Sequence, residues 1–451
     1  MNEPRENAKK IPRRILANII TSVSAGVVPR SGAPYIAIGR KDEIGALLSD
    51  LRLVSEGGGS MRFLIGRYGS GKSFLMQLIR GYALEEGFLT ADCDLSPERR
   101  LYGTGGAGLR TYRELIKNLA SSSSPDGDAL PKLLARWIFD VESRLVSEGI
   151  TRGGEGFDAR FEKTIADDMK KFEFMTGGFD FARVTRAYRR AVEEDNSEAV
   201  TACLRWFRGE FSTRSEARRA LGFDVSMVVD DANWYDFIKL WAEVGSVIGY
   251  RGLIVFIDEC VNLYKIPHRV SRENNYEKIL SMFNDTLQGR APHLGIIFGG
   301  TPQFLEDTRR GLFGYEALRS RLASGRFAKE GELRDLSGPV IRLKRLSDDE
   351  LLALITRMTS LHSIYYSWEP RITPDETLDY LKLTLARAGA DSMITPREML
   401  RDYMSLLSML HDNPEASYGS LVSSGKAQVA SAADTSGSPG AGAFDPGDFE
   451  F

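Results

Sequence analysis

Apolar and polar positions follow two different patterns along the chain, and together they predict an α/β protein. Runs that are apolar at nearly every position predict strands buried on both faces of a parallel sheet. Such runs occur at residues 63–65, 88–93, 252–259, 294–299 and 340–343. Elsewhere apolar residues recur every three to four positions, which is the period of amphipathic helices.

The order of these patterns predicts how the chain is organised. The strands fall into two groups, and the stretch from 121 to 250 between them has only helical periodicity. We therefore predict a sheet domain in two parts, interrupted by a helical insertion and followed by a helical lid. The predicted segments are 1–34 (N-terminal helix and arm), 35–120 and 251–346 (sheet domain), 121–250 (insertion), 347–412 (lid) and 413–451 (tail).

Composition indicates a globular protein without a strong electrostatic preference. Of 451 residues, 42% are hydrophobic and 27% are charged, and the net charge of −3 creates no global field that attracts nucleic acid. The three cysteines lie far apart, which favours a reducing compartment over a disulfide framework. No apolar run approaches the about 20 residues of a membrane span, and the charged start lacks a signal-peptide core. We expect a cytoplasmic protein with no membrane partner.

A glycine-rich stretch between the first predicted strand and the following helix carries the strongest chemical signal. Its sequence, GRYGSGKS at residues 66–73, fits the phosphate-binding P-loop pattern G-x-x-x-x-G-K-S. Glycines let backbone N–H groups approach phosphate oxygens, and the helix start adds a favourable dipole. Lys72 is expected to reach the β- and γ-phosphates, and the Ser73 hydroxyl to bind Mg²⁺. The expected nucleotide-binding residues are Gly66, Arg67, Tyr68, Gly69, Ser70, Gly71, Lys72, Ser73 and Phe74.

Two acids end the strand predicted at 252–259. Because ligands bind at the carboxyl ends of parallel strands, we expect Asp258 and Glu259 to face the P-loop. Asp258 is interpreted as holding Mg²⁺ through its water shell, and Glu259 as the base that polarises the attacking water. A plain strand end is the alternative, but the P-loop upstream favours the catalytic interpretation. The sequence therefore predicts Mg²⁺-dependent hydrolysis of ATP.

Four further residues are candidates for acting on the phosphate, and each has an ordinary structural alternative. Thr301 follows the next predicted strand, where its hydroxyl could orient the water or only begin a Thr-Pro turn. Arg319 and Arg321 could stabilise transition-state charge in a neighbouring subunit, or could lie on a solvated helix face. Arg397 follows a Thr-Pro pair that suits a helix start, from which its guanidinium could reach phosphate.

In this order the motifs resemble those of AAA+ ATPases: a P-loop, a strand ending in Asp-Glu, a strand followed by Thr, and a helical lid with Pro-Arg. The resemblance implies an α/β fold, an AAA+ P-loop parallel-sheet domain with a large helical insertion and a C-terminal helical lid. It also implies that Gly39 and Arg40 lie on the adenine side of the nucleotide-binding site. Thr301 corresponds to the sensor-1 residue and Arg397 to the sensor-2 arginine.

More narrowly, the chain is similar to the ATP-binding proteins of BREX-type bacterial phage-defence systems, in the origin-recognition and STAND-like branch. The stretches that carry this resemblance include IGRYGSGKSFL, LIVFIDECVNLYK, GIIFGGTPQFLED and ITPREMLRDY. The AAA+ resemblance implies that Arg319 or Arg321 is an arginine finger, and hence that the chain forms a homo-oligomer or ring. Other defence-system proteins are the implied partners. No winged-helix pattern follows the lid, although origin-recognition proteins usually carry one.

Three functions are compatible with these features. The first is an AAA+ ATPase that acts as motor or loader in a DNA-directed anti-phage complex. The second is a slowly hydrolysing, nucleotide-gated switch or scaffold that recruits partners. The third is a DNA-binding module, suggested by arginines clustered between residues 183 and 219. Glu259 and the two candidate finger arginines favour the first function over the second.

The tail ends in a peptide, Phe444–Phe451, in which phenylalanines alternate with acids. From residue 413 onward the Ser-, Gly-, Ala- and Pro-rich composition predicts disorder. Exposed phenylalanines are unfavourable in water, so we hypothesise that this peptide docks on a partner or on a neighbouring copy of the chain. The equally weighted alternative is a solvated end that binds nothing.

Overall fold

The protein divides into two compact units in a computed structural model. The structure describes residues 11–29, 31–172, 174–323, 335–387 and 395–423. We call residues 39–345 the core unit, and residues 1–38 together with 346–451 the helical unit. The hypothesised docking peptide, Phe444–Phe451, lies outside the described residues.

The helical unit begins with α1 (Arg13–Ser24) and a short 3-10 turn (Ala33–Ile36). Gly32 enters the turn with a φ of 85°, which favours glycine, and Pro34 fixes a helix-compatible φ near the turn's start.

The first part of the core unit contains α2 (Lys41–Ser55), β1 (Ser60–Ile65), α3 (Lys72–Glu85), β2 (Leu89–Asp94) and α4 (Ala107–Lys117). The predicted insertion follows without a strand among its described residues. Its helices are α5 (Leu130–Ser147), α6 (Phe157–Met169), α7 (Gly178–Glu193), α8 (Ser197–Phe207), α9 (Arg214–Leu221) and α10 (Trp234–Val247).

The chain then returns to the sheet. The elements are β3 (Leu253–Asp258), α11 (Val261–Tyr264), α12 (Arg269–Leu287), β4 (Leu294–Gly300), α13 (Pro302–Glu306), α14 (Glu316–Leu322) and β5 (Val340–Arg342). The described strands form one five-stranded sheet in the order β2-β3-β4-β1-β5, and every pair is parallel. This confirms the predicted α/β class with a parallel sheet. Strand β4 therefore separates β1, which leads into the P-loop, from β3, which ends in Asp258.

Aromatic side chains form the centre of the insertion. The Phe181 ring packs edge-on against Trp241 and Phe207, with centroid distances of 4.7 and 4.9 Å. Trp206 also packs edge-on against Phe207. These rings are buried, and they belong to one apolar core that also includes side chains of the sheet.

The insertion is bonded to the helix that follows β2. The Asp231 carboxylate accepts hydrogen bonds from the N–H groups of Gly106 (2.7 Å) and Leu109 (2.9 Å) at the start of α4. Helix starts leave such N–H groups without helical partners, and a carboxylate satisfies them favourably. The Trp234 indole adds a 3.0 Å bond to the carbonyl of Leu101.

The remaining helices of the helical unit are α15 (Asp348–Tyr366), α16 (Pro374–Arg387) and α17 (Pro396–Asp412). Two capping boxes, Ser347 with Glu350 and Thr395 with Glu398, start α15 and α17. Helix α1 packs against α15 and α17, a contact that the sequence did not indicate. Buried Tyr418 donates to Asp379 at 2.7 Å, so the packed structure extends past residue 412, where we expected it to end.

Within the described residues, none of the helices combines the length and the apolarity needed to cross a membrane.

A buried histidine lies between α15 and α17. The Trp368 indole donates to His362 Nδ1 at 2.9 Å, so His362 is neutral there, and Nε2 faces the Ser408 hydroxyl at 3.4 Å. Burial, reinforced by nearby His411 and only weakly opposed by Asp412, lowers the pKa of His362 from 6.5 to about 4. A protonated ring would place a second N–H against the indole donor.

We predict that acid destabilises the helical unit through His362. The unfolded chain binds a proton at His362 below about pH 6.5, whereas the folded chain does so only near pH 4. The contribution is therefore complete above pH 6.5 and is lost as the pH falls towards 4, by roughly 2–3 kcal/mol. His362→Asn keeps an acceptor for Trp368 but cannot titrate, so its free energy of unfolding should fall less between pH 7 and 5.

Urea unfolding at both pH values measures the difference. His268→Asn, at an exposed position of the core unit, is the matched control. Equal pH dependence in the wild type and His362→Asn would show that His362 does not carry the effect.

Candidate functional site

The P-loop connects β1 to α3, and its shape depends on its glycines. Gly69 and Gly71 have positive φ angles of 76° and 87°, a region that favours glycine. At Gly66 the constraint is space, because a Cβ would lie 2.3 Å from the Ser70 hydroxyl oxygen. The other candidate side chains of this stretch lie at or near the surface: Arg67, Tyr68 and Phe74.

The Lys72 ammonium lies over the first half of the loop. Its Nζ donates to the carbonyl oxygens of Gly66 (2.9 Å) and Arg67 (3.2 Å). Burial lowers the pKa of Lys72, while the charges of Asp258 and Glu259 raise it. The charges of Lys72, Asp258 and Glu259 therefore interact, as the site predicted from the sequence requires.

A hydrogen bond joins the P-loop helix to the end of β3. Ser73 Oγ donates to Asp258 Oδ2 at 2.7 Å, and the bond crosses the end of β4, which lies between β1 and β3. Gly299 on β4 makes this crossing possible, since a Cβ there would lie 2.2 Å from Asp258 Oδ1. A hydroxyl and a carboxylate are hard oxygen ligands of the kind that Mg²⁺ prefers.

Glu259 has a backbone conformation that is unusual for a residue with a side chain. Its φ is +57°, and its carboxylate is exposed to solvent. Neighbouring bonds hold this conformation: the Glu259 N–H donates to Asp258 Oδ1 at 2.8 Å, and Cys260 N–H donates to the Gly299 carbonyl at 3.0 Å. Such strain occurs at functional sites, where the surrounding structure maintains it.

Asp94 is a third acid at the carboxyl ends of the strands, and it was not among the site residues predicted from the sequence. It ends β2 directly beside Asp258 in the strand register, and the next N–H, of Leu95, donates to the Asp258 carbonyl at 3.0 Å. Partial burial and the charges of Asp258 and Glu259 raise the pKa of Asp94. Its position at the end of a predicted strand was the only available signal, and it applies equally to many structural residues.

Thr301 begins α13 directly after β4. Its hydroxyl accepts a hydrogen bond from the Phe304 N–H at 3.3 Å, so Thr301 caps this helix. The Gly66 N–H donates to the carbonyl of Gly300 at 3.1 Å, which puts Thr301 next to the start of the P-loop. Thr301 therefore has a capping role in the local structure, and its sensor role stays a prediction.

The candidate finger arginines lie on the exposed side of α14. Arg319 and Arg321 are exposed on α14, whose Leu318 and Leu322 are buried, and Arg321 donates to the Ala317 carbonyl of its own helix at 2.7 Å.

Arg397 is exposed in the first turn of α17 in the helical unit, behind the Thr395 cap. Its sensor-2 role also stays a prediction.

Gly39 and Arg40 begin the core unit. Gly39 has a φ of 72°, and the Arg40 guanidinium donates to the carbonyl of Ser70 in the P-loop at 2.8 Å. Their assignment to the adenine side stays a prediction, while the contact with the P-loop backbone is one that the sequence did not indicate.

We predict that Gly299→Ala is destabilising, because its Cβ would collide with the Asp258 carboxylate and approach the Met76 sulfur at 3.1 Å. Overpacking of this kind costs about 1–3 kcal/mol. Gly81→Ala is the matched control: Gly81 lies in α3 with no atom within 4 Å of its Cβ position, so alanine should stabilise the helix by about 0.5–1 kcal/mol. Thermal unfolding of both variants tests the pair, and a Gly299→Ala variant as stable as the wild type would contradict the crowding argument.

Comparison with known proteins connects this geometry to a family. A search of curated proteins finds no match to the chain. A family model described as "BREX system ATP-binding protein BrxC/D" matches residues 11–426, which include the P-loop, the Asp-Glu strand end and both units. The match confirms the resemblance drawn from the motifs, and the chain belongs to the family of BREX system ATP-binding proteins BrxC/D.

Proposed function

We propose that this protein hydrolyses ATP in a Mg²⁺-dependent reaction and serves as motor or loader in a DNA-directed anti-phage defence complex. The observation that carries the proposal is the Ser73–Asp258 hydrogen bond, together with the charge interaction of Lys72 with Asp258 and Glu259. Together these residues supply a loop that can bind phosphate, a hydroxyl–carboxylate pair that can bind a cation, and a candidate base. All of them lie at the carboxyl ends of the parallel strands.

Binding is assigned to the P-loop. Its N–H groups and the start of α3 receive the phosphates, and Lys72 neutralises their charge. Ser73 and Asp258 would hold Mg²⁺, which offsets charge on the phosphate oxygens. On the basis of the family resemblance, Gly39, Arg40 and Arg397 are proposed to belong to the nucleotide-binding region.

Hydrolysis is assigned to Glu259. Its exposed carboxylate can accept a proton from, and orient, a water that attacks the γ-phosphate. The presence of a carboxylate at this position supports this role over the alternative of a slow nucleotide-gated switch, because binding alone does not require a base. Thr301 is proposed to help orient the same water.

The exposed arginines of α14 support a proposed oligomer. Arg319 and Arg321 face solvent on a helix whose apolar side is buried, which is compatible with a contact to a site in a neighbouring copy. We propose a homo-oligomer or ring in the cytoplasm, with other defence-system proteins as partners. The peptide Phe444–Phe451 remains a proposed docking segment.

The alternative of a DNA-binding module gains little from the structure. Arg189 is buried among three carboxylates, and Arg190 and Arg218 each pair with one. Charges neutralised in this way contribute less to phosphate binding than free ones. DNA association is therefore proposed through the complex.

We predict that Glu259→Gln binds ATP with Mg²⁺ as the wild type does but turns it over about 10²–10⁴-fold more slowly, because the amide cannot accept the water proton. Lys72→Ala should instead lose ATP affinity. Phosphate release and equilibrium ATP binding separate the two effects. Glu85→Gln, an exposed acid at the end of α3, is the control.

Full hydrolysis by Glu259→Gln would remove Glu259 from its role. Unchanged ATP binding by Lys72→Ala would contradict the P-loop assignment.

We predict that mixing two inactive variants restores part of the ATPase activity. A subunit with Arg319→Ala or Arg321→Ala keeps its own Glu259, and a Glu259→Gln subunit can supply the missing arginine across the interface. ATPase rate against mixing ratio measures the rescue, and Arg218→Ala in the insertion serves as the control for general loss of charge. No rescue, together with a monomeric mass in every nucleotide state, would rule out a shared site.

A further inference from the structure

The Arg40 guanidinium is buried directly behind the P-loop. Only 6% of Arg40 and 1% of its partner Glu43 are exposed, and Arg40 Nη1 lies 3.5 Å from Glu43 Oε1. Burying a charge is costly unless its hydrogen-bonding groups are satisfied. The partners of Arg40 therefore indicate what this buried charge stabilises.

Arg40 bridges two backbone segments that are far apart in sequence. Its Nη2 donates to the carbonyl oxygens of Ser70 (2.8 Å) and Lys344 (2.7 Å). Ser70 lies in the P-loop directly before Gly71, and Lys344 lies just after β5. The Leu343 N–H donates to the Ile65 carbonyl at 2.7 Å, so the two segments run side by side.

The bond to Ser70 controls the direction of the next amide. In a trans peptide the C=O of one residue and the N–H of the next lie in one plane and point in opposite directions. The Arg40 bond pulls the Ser70 carbonyl towards the interior, so the Gly71 N–H points away from Arg40. Among the described residues this N–H makes no backbone hydrogen bond, which leaves it available to an anion.

We propose that Arg40 is a positioning residue for phosphate binding, holding the Ser70–Gly71 peptide with its N–H facing the nucleotide phosphates. The proposal rests on the proposed nucleotide-binding function and assigns Arg40 a role that does not involve the base. Glu43 orients the guanidinium, and Lys344 anchors it to the end of the sheet. Only arginine has the planar set of donors that this arrangement uses, because lysine is a point charge on a flexible chain.

The test compares two arginines with similar environments. Arg62 in β1 is also largely buried and pairs with Asp50, and it donates to the Ser337 carbonyl at 3.0 Å without contacting the P-loop peptide that Arg40 binds. Affinities of the full-length chain for ATP, GTP and inorganic tripolyphosphate are measured by titration in the wild type, Arg40→Lys and Arg62→Lys. We expect Arg40→Lys to weaken all three by a similar factor, about ten- to a hundredfold, and Arg62→Lys to leave them unchanged.

Other outcomes overturn the proposal. Weaker binding of ATP alone would assign Arg40 to the adenine base. A lower melting temperature in both variants with unchanged affinities would make Arg40 a stabilising residue only. If the wild type binds all three ligands and Arg40→Lys binds them equally well, the positioning role is wrong while the proposed nucleotide binding stands.

A second measurement does not depend on nucleotide. Backbone hydrogen exchange over residues 66–73 in the nucleotide-free protein should be faster in Arg40→Lys than in the wild type, and unchanged in Arg62→Lys. Should Arg40→Lys fail to fold, Glu43→Gln replaces it, with faster exchange and a smaller loss of affinity for all three ligands expected. Unchanged exchange and affinity in the variant used would overturn the proposal.

Discussion

The Asp258 carboxylate has to reach Ser73 across an intervening strand, and much of the sheet edge is arranged around that requirement. A side chain at position 299, near the end of β4, would block this path, and the glycine there leaves it open. The same carboxylate accepts the N–H of Glu259, so one acid both joins α3 to β3 and holds the strained turn that presents the next acid. The contact between the P-loop helix and the end of β3 therefore depends on packing as much as on chemistry.

Local signals made the P-loop and the Asp-Glu strand end predictable. Lys72, Ser73, Asp258 and Glu259 lie within short patterns whose residue order alone encodes a strand, a tight turn and a helix. The strands themselves were recognisable because a parallel strand buried on both faces is apolar almost throughout. Helix existence in the insertion was equally accessible from periodicity, apart from α9, whose eight residues include a single buried one, Ala217.

Features that depend on contacts between distant segments were not predictable. Gly299 is an ordinary strand glycine until Asp258 is placed opposite it, and Asp94 is an ordinary strand end until β2 pairs with β3. The two carbonyl groups that Arg40 binds lie 30 and 304 residues away, so no local pattern could reveal them. The same holds for Asp231, which caps a helix that begins more than a hundred residues before it.

The packing of α1 against α15 and α17 has a consequence for how the protein is made. The ribosome synthesises α1 before its helical partners, and the whole core unit is synthesised between them. The core unit can complete its own sheet and insertion earlier, since Arg40 and Lys344 bring its two ends together. During synthesis the apolar face of α1 therefore has to wait for the last helices, and a chain stalled before α17 would expose that face to aggregation or to chaperones.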